Sequence, residues 1–238
     1  MNKILEFRDV EFSYIDNPIF SSVNFSLYRG EFVALFGHNG AGKSTLTKLA
    51  LGLLKPKRGE IFLFGKNLAA FSEWKKIGYV PQSKELDLDF PISVLDLVLM
   101  GTLKSKPGLF KFYSSEDYIK SIEALKLLGL QDLKSRKLSE LSGGQRQKIF
   151  LAQALVSSPE FLILDEPTSN LDFSSEHLFY QELSRLNKNG ITIFLISHDI
   201  GQILDYASRI LILNKKIVFD KPTSKLSKEE ILSMVGKI

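Results

Sequence analysis

The chain has 238 residues, 44% hydrophobic and 24% charged, a composition ordinary for a globular protein with ample material for a core. It has no cysteine, which excludes a disulfide framework and a thiolate metal site, and no apolar run approaches the roughly 18–20 residues that cross a bilayer. The net charge of +4 is too mild to argue for a nucleic-acid partner, and the opening stretch Met1–Asp9 meets charges too early to be expected as a secretory leader.

Leu5, Phe7, Val10, Phe12 and Tyr14 recur in the manner of a strand, with a kink or bulge expected at Asp9. Val23 to Leu27 predicts a second strand, and Arg29-Gly30 turns the chain. Phe32-Val33-Ala34-Leu35-Phe36 is a short continuous apolar run, which suits a parallel strand buried on both faces. A glycine-rich loop follows, then a predicted helix over 43–54 that must stop before Pro56. Ile61–Phe64 and Ile77–Val80 predict further strands.

From about Gln82 to Ala154 the pattern turns helical. One helix is expected to open at Ser114-Ser115, where Ser114 and Asp117 have capping-box spacing, with Ile119, Ile122 and Leu125 on one face and Gly129 at its end. Another is predicted over 144–156. Strand patterns return at 161–164, 191–196 and 210–213, with a helix over 174–189 stopped by Gly190. Lys215-Lys216 predicts a hairpin into Ile217-Val218-Phe219, and a short helix is expected over 228–235. The expected fold is α/β: a largely parallel sheet, an N-terminal antiparallel β portion, and a helical subdomain inserted at 83–155. Residues 1–82 and 156–238 would form the core of this single domain.

Gly37-His38-Asn39-Gly40-Ala41-Gly42-Lys43-Ser44 fits the phosphate-binding pattern G-x-x-x-x-G-K-S, with a buried strand before it and the helix that opens at Lys43, Ser44 and Thr45 after it. Glycines let backbone N–H groups approach phosphate oxygens, and the helix N-terminus adds partial positive charge. Lys43 is the candidate for the β- and γ-phosphates of ATP, and the Ser44 hydroxyl for the accompanying Mg2+. Leu162-Ile163-Leu164-Asp165-Glu166 is a buried strand ending in two carboxylates at the edge where α/β sheets bind ligands. Asp165 is the candidate for the Mg2+ shell and Glu166 for the general base on the attacking water.

His198 ends the next strand, on the same edge, and is placed to hold that water or the γ-phosphate; His177 carries no such signal. Gln82, after Pro81, is a candidate contact for Mg2+ or the γ-phosphate, and Tyr14 for stacking on adenine. Ser142-Gly143-Gly144-Gln145 opens a helix and is a second anion site. A chain that already has a complete phosphate cradle uses such a site for another molecule's nucleotide, which implies a head-to-tail dimer with ATP between the two.

The phosphate loop, Tyr79-Val80-Pro81-Gln82, Leu141 to Gln145, Ile163 to Pro167, Ser169-Asn170-Leu171-Asp172 and Ser197-His198-Asp199, in this order, make the chain resemble the nucleotide-binding subunit of ATP-binding-cassette transporters from Tyr14 to about Asp220. The resemblance implies ATP hydrolysis that drives a separate membrane permease, and a homodimer of ATPase subunits. Asp172 would lie in the loop that signals across the dimer interface. His38 and Lys148 depart slightly from the family pattern without removing a catalytic group.

Finer features resemble the zinc and manganese importers: Phe71 to Gln82, Phe90 to Asp96 leading to Met100-Gly101, and Leu213 to Phe219. They imply peripheral attachment at the cytoplasmic face of the cell membrane and an extracellular or periplasmic metal-binding protein in the complex. Phe90, in the segment Asp87 to Pro91, would anchor the permease. The runner-up is a cassette ATPase with another cargo, importer or exporter. A non-transport cassette of DNA maintenance would need a long coiled coil, for which there is no heptad run.

Overall fold

A computed structural model describes residues 2–15, 17–82, 91–103, 113–169, 171–198, 200–225 and 230. The docking candidate Phe90, the motif residues Asn170 and Asp199, and nearly all of the helix expected over 228–235 lie outside the described residues.

Two sheets form. In the first, β1 (Lys3–Tyr14) pairs antiparallel with β2 (Asn17–Tyr28) on one side and β4 (Arg58–Leu63) on the other, with the short β5 (Lys66–Asn67) at the edge. The bulge expected at Asp9 is present. Its φ is 46°, the register slips between Phe7 and Val10, and Asn24 and Ser22 donate to its carboxylate at 2.8 and 3.2 Å.

The second sheet has the order β10-β9-β3-β8-β7-β6. β6 (Ile77–Val80), β7 (Phe161–Asp165), β8 (Thr192–Ser197), β3 (Phe32–Phe36) and β9 (Arg209–Asn214) run parallel. β10 (Lys216–Pro222) returns antiparallel after a turn at Lys215, φ 56°.

All five residues of β3 are buried because alternate side chains feed two cores. Phe32, Ala34 and Phe36, with Leu162, Leu164, Ile193 and Leu195, face one layer of helices. These are α2 (Val94–Met100), α3 (Ser115–Leu127), α4 (Gly143–Leu155) and α5 (Phe173–Lys188). Val33 and Leu35, with Ile163, Phe194, Ile196 and Leu211, face α1 (Lys43–Ala50) and the antiparallel sheet. Two-sided burial is why these strands read as unbroken apolar runs.

Two of these expectations need correction. The first helix stops at Ala50 and not at Leu54, because Gly52 is left-handed at φ 69° and the amides of Leu53 and Leu54 turn back to the Lys48 carbonyl. The capping box of Ser114 and Asp117 forms as expected, and Gly129 follows the helix at φ 70°. The buried face of α3, however, is Ser121, Ala124 and Leu125, while Ile119 is 58% exposed. Small residues on that face let α3 approach α2 and α4. Finally, α2 had no expectation attached to it; Ser93 caps it by accepting from the Asp96 amide at 3.1 Å.

The C-terminal half of α4 lies against backbone. A Cβ added at Gly78 of β6 would lie 2.7 Å from the Ala154 carbonyl oxygen, and one at Gly101 would lie 2.3 Å from that of Gln153. Both seams exist because these two positions have no side chain.

Candidate functional site

The C-terminal ends of β3, β6, β7 and β8 deliver four segments to one edge of the parallel sheet. The Gly37–Ser44 loop follows β3, Gln82 follows β6, Asp165 and Glu166 close β7, and His198 follows β8. They meet at a cavity of about 520 Å³ lined by Ile19, Asn39, Gly40, Gly42, Lys43, Ser44, Thr45, Gln82, Glu166 and His198.

The loop is shaped for backbone approach. Gly40 and Gly42 have φ of 85° and 97°, a region L side chains rarely adopt, and nothing lies within 4 Å of where a Gly40 Cβ would stand. Gly42 is the N-cap of α1 and brings no side-chain cap, so the amides of the first helical turn are not answered by a capping side chain. Beneath the loop sits Phe20 of β2, 3% exposed, and a Cβ at Gly42 would lie 2.6 Å from its Cε1 and 2.8 Å from Cγ2 of Ile19. Gly42→Ala is therefore expected to destabilise the chain by more than the ~1–2 kcal/mol of a left-handed L residue alone. Chemical denaturation of the two proteins measures the difference, and an unchanged midpoint would refute the tight seat.

Glu166 is the hub of the cavity. Lys43 Nζ lies 3.3 Å from its Oε1, Gln82 Nε2 donates to its Oε2 at 2.9 Å, and His198 Nδ1 lies 3.2 Å from the same oxygen. Lys43, 6% exposed, also donates to the carbonyls of Gly37 at 2.9 Å and His38 at 3.3 Å. Glu166 itself is left-handed at φ 44°, and its amide donates to the Ile196 carbonyl on β8 at 2.9 Å. That bend turns the carboxylate out of the sheet and into the cavity. Asp165, one residue earlier, completes β7 and is only 5% exposed.

Not every candidate from the sequence lines this cavity. Gly37, His38 and Ala41 do not line it: Gly37 and Ala41 are buried beneath the loop while His38 is exposed, the Ala41 amide donates to the His38 carbonyl at 3.1 Å, and a Cβ on Gly37 would meet the Leu213 carbonyl oxygen at 2.7 Å. Tyr14 is 44% exposed and packs edge-on against Phe12, 4.9 Å between centroids. Ile19 was not anticipated. Its only signal was its place in the alternation of a strand read too short, since β2 starts at Asn17 and not at Val23.

Ser142, Gly143, Gly144 and Gln145 also stand outside this cavity and begin α4 as expected. Ser142 accepts from the Gln145 amide at 3.3 Å, and the Gln145 side chain accepts from the Ser142 amide at 3.0 Å. Asp172 caps α5, accepting from the amides and hydroxyls of Ser174 and Ser175. These bonds, the Ser174 hydroxyl first, hold its carboxyl far below the ordinary carboxylate range.

This arrangement is shared with known proteins. Residues 20–169 match the family model described as ABC transporter. The chain is 42% identical to the zinc uptake system ATP-binding protein ZurA of Listeria innocua, over 92% of this chain and 86% of that protein. It is 37% identical to the manganese transport system ATP-binding protein MntB of Listeria monocytogenes, over 95% of this chain and 93% of that one. Among solved structures, cbiO1 of Clostridium perfringens, part of the ABC transporter complex cbiONQ, superposes with a TM-score of 0.83 at 29% identity, covering 100% of this chain and 96% of that one. A phosphate loop, strand-end carboxylates and strand-end histidine converging as described, together with these likenesses, place the chain in the ABC transporter family as an ATP-hydrolysing subunit.

Proposed function

We propose that this subunit drives uptake of zinc or manganese through a separate permease. In this reading it cleaves ATP with Mg2+ at the face of two head-to-tail copies, on the cytoplasmic side of the membrane, with an extracellular or periplasmic protein delivering the metal. The cargo reading is supported by the two Listeria relatives, one named for zinc uptake and one for manganese transport.

The chemistry is carried by one observation, the convergence of Lys43, Gln82 and His198 on Glu166 within 3.3 Å. Glu166 accepts the proton of the attacking water as general base, and the neighbouring donors keep its carboxylate oriented. Lys43 and the amides of Gly40 through Thr45 bind the phosphates. Tyr14, exposed at the mouth of β1, stacks on adenine. The Ser44 hydroxyl, the Gln82 amide oxygen and the Asp165 carboxylate are the hard oxygen donors that Mg2+ requires, and all three stand at this edge of the sheet. When bound, the ion neutralises charge on the phosphates.

Ser142, Gly143, Gly144 and Gln145 serve the partner's nucleotide, and Asp172 borders the same interface. Residues 83–155, which contribute α2, α3 and α4, form the helical subdomain that meets the permease.

Radiometal uptake tests the cargo. Cells lacking this chain are expected to lose high-affinity uptake of zinc or of manganese, with recovery on restoring the wild-type chain and none on restoring Glu166→Gln. Unchanged uptake of both metals would remove the cargo reading while leaving ATP hydrolysis untouched.

A further inference from the structure

Glu166 and His198 sit on different loops, after β7 and after β8, and both side chains must hold their places for one water to be activated. The strand ends fix the backbone of Glu166 through the Ile196 carbonyl, but the chain beyond each residue needs its own support.

α5 gives that support on both sides. Glu176 and Tyr180 are four residues apart and share a face. The Thr168 hydroxyl, two residues beyond Glu166, donates to Glu176 Oε1 at 2.9 Å. Because that donor is already spent on an acceptor-only carboxylate, the Tyr180 hydroxyl, 3.1 Å away, is the donor to Thr168 Oγ1. The chain Tyr180 to Thr168 to Glu176 thus runs in a single direction and ends on a carboxylate, and Tyr180 is 1% exposed.

The other side of the helix reaches the segment after His198. Gln202 donates to the Phe173 carbonyl at 2.9 Å and accepts from His177 Nδ1 at 3.1 Å. Tyr206 lies against Tyr180, 5.8 Å between ring centroids, and Ile200 and Ile203 are buried in the same core as Phe179 and Leu183.

We infer that the first two turns of α5 are a spacer that fixes the distance between Glu166 and His198, with Thr168 and Tyr180 as positioning residues for hydrolysis. This rests on the assignment of Glu166 as general base. Neither residue lines the nucleotide cavity, so their loss acts on the cleavage step and not on ATP binding. Sub-ångström displacement of a base matters because the rate depends steeply on alignment.

The test uses the full-length protein, with single-turnover ATP cleavage, ATP affinity and thermal midpoint measured side by side well below that midpoint. Thr168→Val keeps the branched shape and removes the hydroxyl; Thr168→Ser keeps the hydroxyl; Tyr180→Phe removes the hydroxyl that donates to Thr168. Thr168→Val and Tyr180→Phe are expected to slow cleavage about tenfold at unchanged ATP affinity, with Thr168→Ser within about twofold of wild type.

Wild-type rates in Thr168→Val and Tyr180→Phe would overturn the proposal. So would a loss in Thr168→Ser as large as in Thr168→Val, or rate losses that follow ATP affinity. If Thr168→Val does not fold, Tyr180→Phe decides alone. Should Glu166→Gln cleave ATP normally, the general-base assignment fails, whereas a slow Glu166→Gln beside a normal Tyr180→Phe rejects the spacer alone.

Discussion

Glu166→Gln is expected to slow ATP cleavage by about 10²–10⁴-fold while the protein still binds ATP. The substitution is nearly isosteric, so the left-handed bend at this position and the amide bond to the Ile196 carbonyl are kept. What is lost is the proton acceptor. The amide nitrogen also places a donor where Lys43, Gln82 and His198 already present theirs, so the orienting contacts at 2.9–3.3 Å cannot all be satisfied. The groups proposed for the phosphates, Lys43 and the amides opening α1, stay in place. Single-turnover cleavage and a nucleotide titration on the same preparation separate the two effects. Turnover near the wild-type rate would reject Glu166 as the base, and a collapse of ATP affinity would mean that its chief role is to hold Lys43.

The second large effect is on assembly. In the Glu166→Gln background, where ATP persists, the protein is expected to form a dimer on adding ATP, and Ser142→Arg is expected to abolish that dimer. Ser142 is exposed at the start of α4, beside two glycines, where the helix amides are proposed to seat the partner's nucleotide. An arginine there fills the seat with a long cationic chain. It also removes the cap, which is worth about 1 kcal/mol of helix stability. Ser142→Ala removes the cap without the bulk and separates these causes. Light scattering with and without ATP gives the mass directly. A dimer that survives in Ser142→Arg would sink the shared-site arrangement, whereas loss of the dimer in Ser142→Ala only when α4 also melts would assign the effect to the cap.

The parts of this site that are local in sequence were legible before any coordinates. The phosphate loop needs glycines, lysine and serine within eight consecutive positions, and the two carboxylates needed only a buried strand before them. The strands β3, β7 and β8 were legible because burial on both faces leaves an unbroken apolar run. What the sequence hid was non-local or decided by packing. Gln82 and Glu166 are 84 residues apart, and nothing in either neighbourhood says that one donates to the other.

Thr168, Glu176 and Tyr180 carried no motif beyond ordinary helix spacing. Leu51, Leu53 and Leu54 continued the apolar pattern of α1, yet a left-handed Gly52 ends it, since favourable leucine propensities do not outweigh a glycine turn whose following amides bond back to the Lys48 carbonyl. Ile119 looked like core because it is apolar at the right spacing, while the true contact face uses Ser121 and Ala124 for their small size. Tyr14 illustrates a different limit: its exposure at the edge suits stacking, but among the described residues its ring touches Phe12 and not the cavity wall.

The two bare glycines under α4 have a mechanical consequence. Where Gly78 and Gly101 meet the carbonyls of Ala154 and Gln153, main chain rests on main chain, with Leu162 and Val156 side chains packed as closely beside it, so the seam has little room to give. The rear of α4 is therefore pinned to β6 and to the end of α2 like an axle in a bearing. The bearing lies near the end of the 13-residue helix, which gives a lever arm of about 17 Å from it to Ser142. A rocking of roughly 10° about the pinned end would carry Ser142 through about 3 Å, the span of one hydrogen bond, with almost no sliding at the seam. β6 leads directly into Gln82, so the bearing is attached to the strand that touches Glu166. The same strand thus carries the seat of α4 along its length and, just past its end, the residue that touches Glu166.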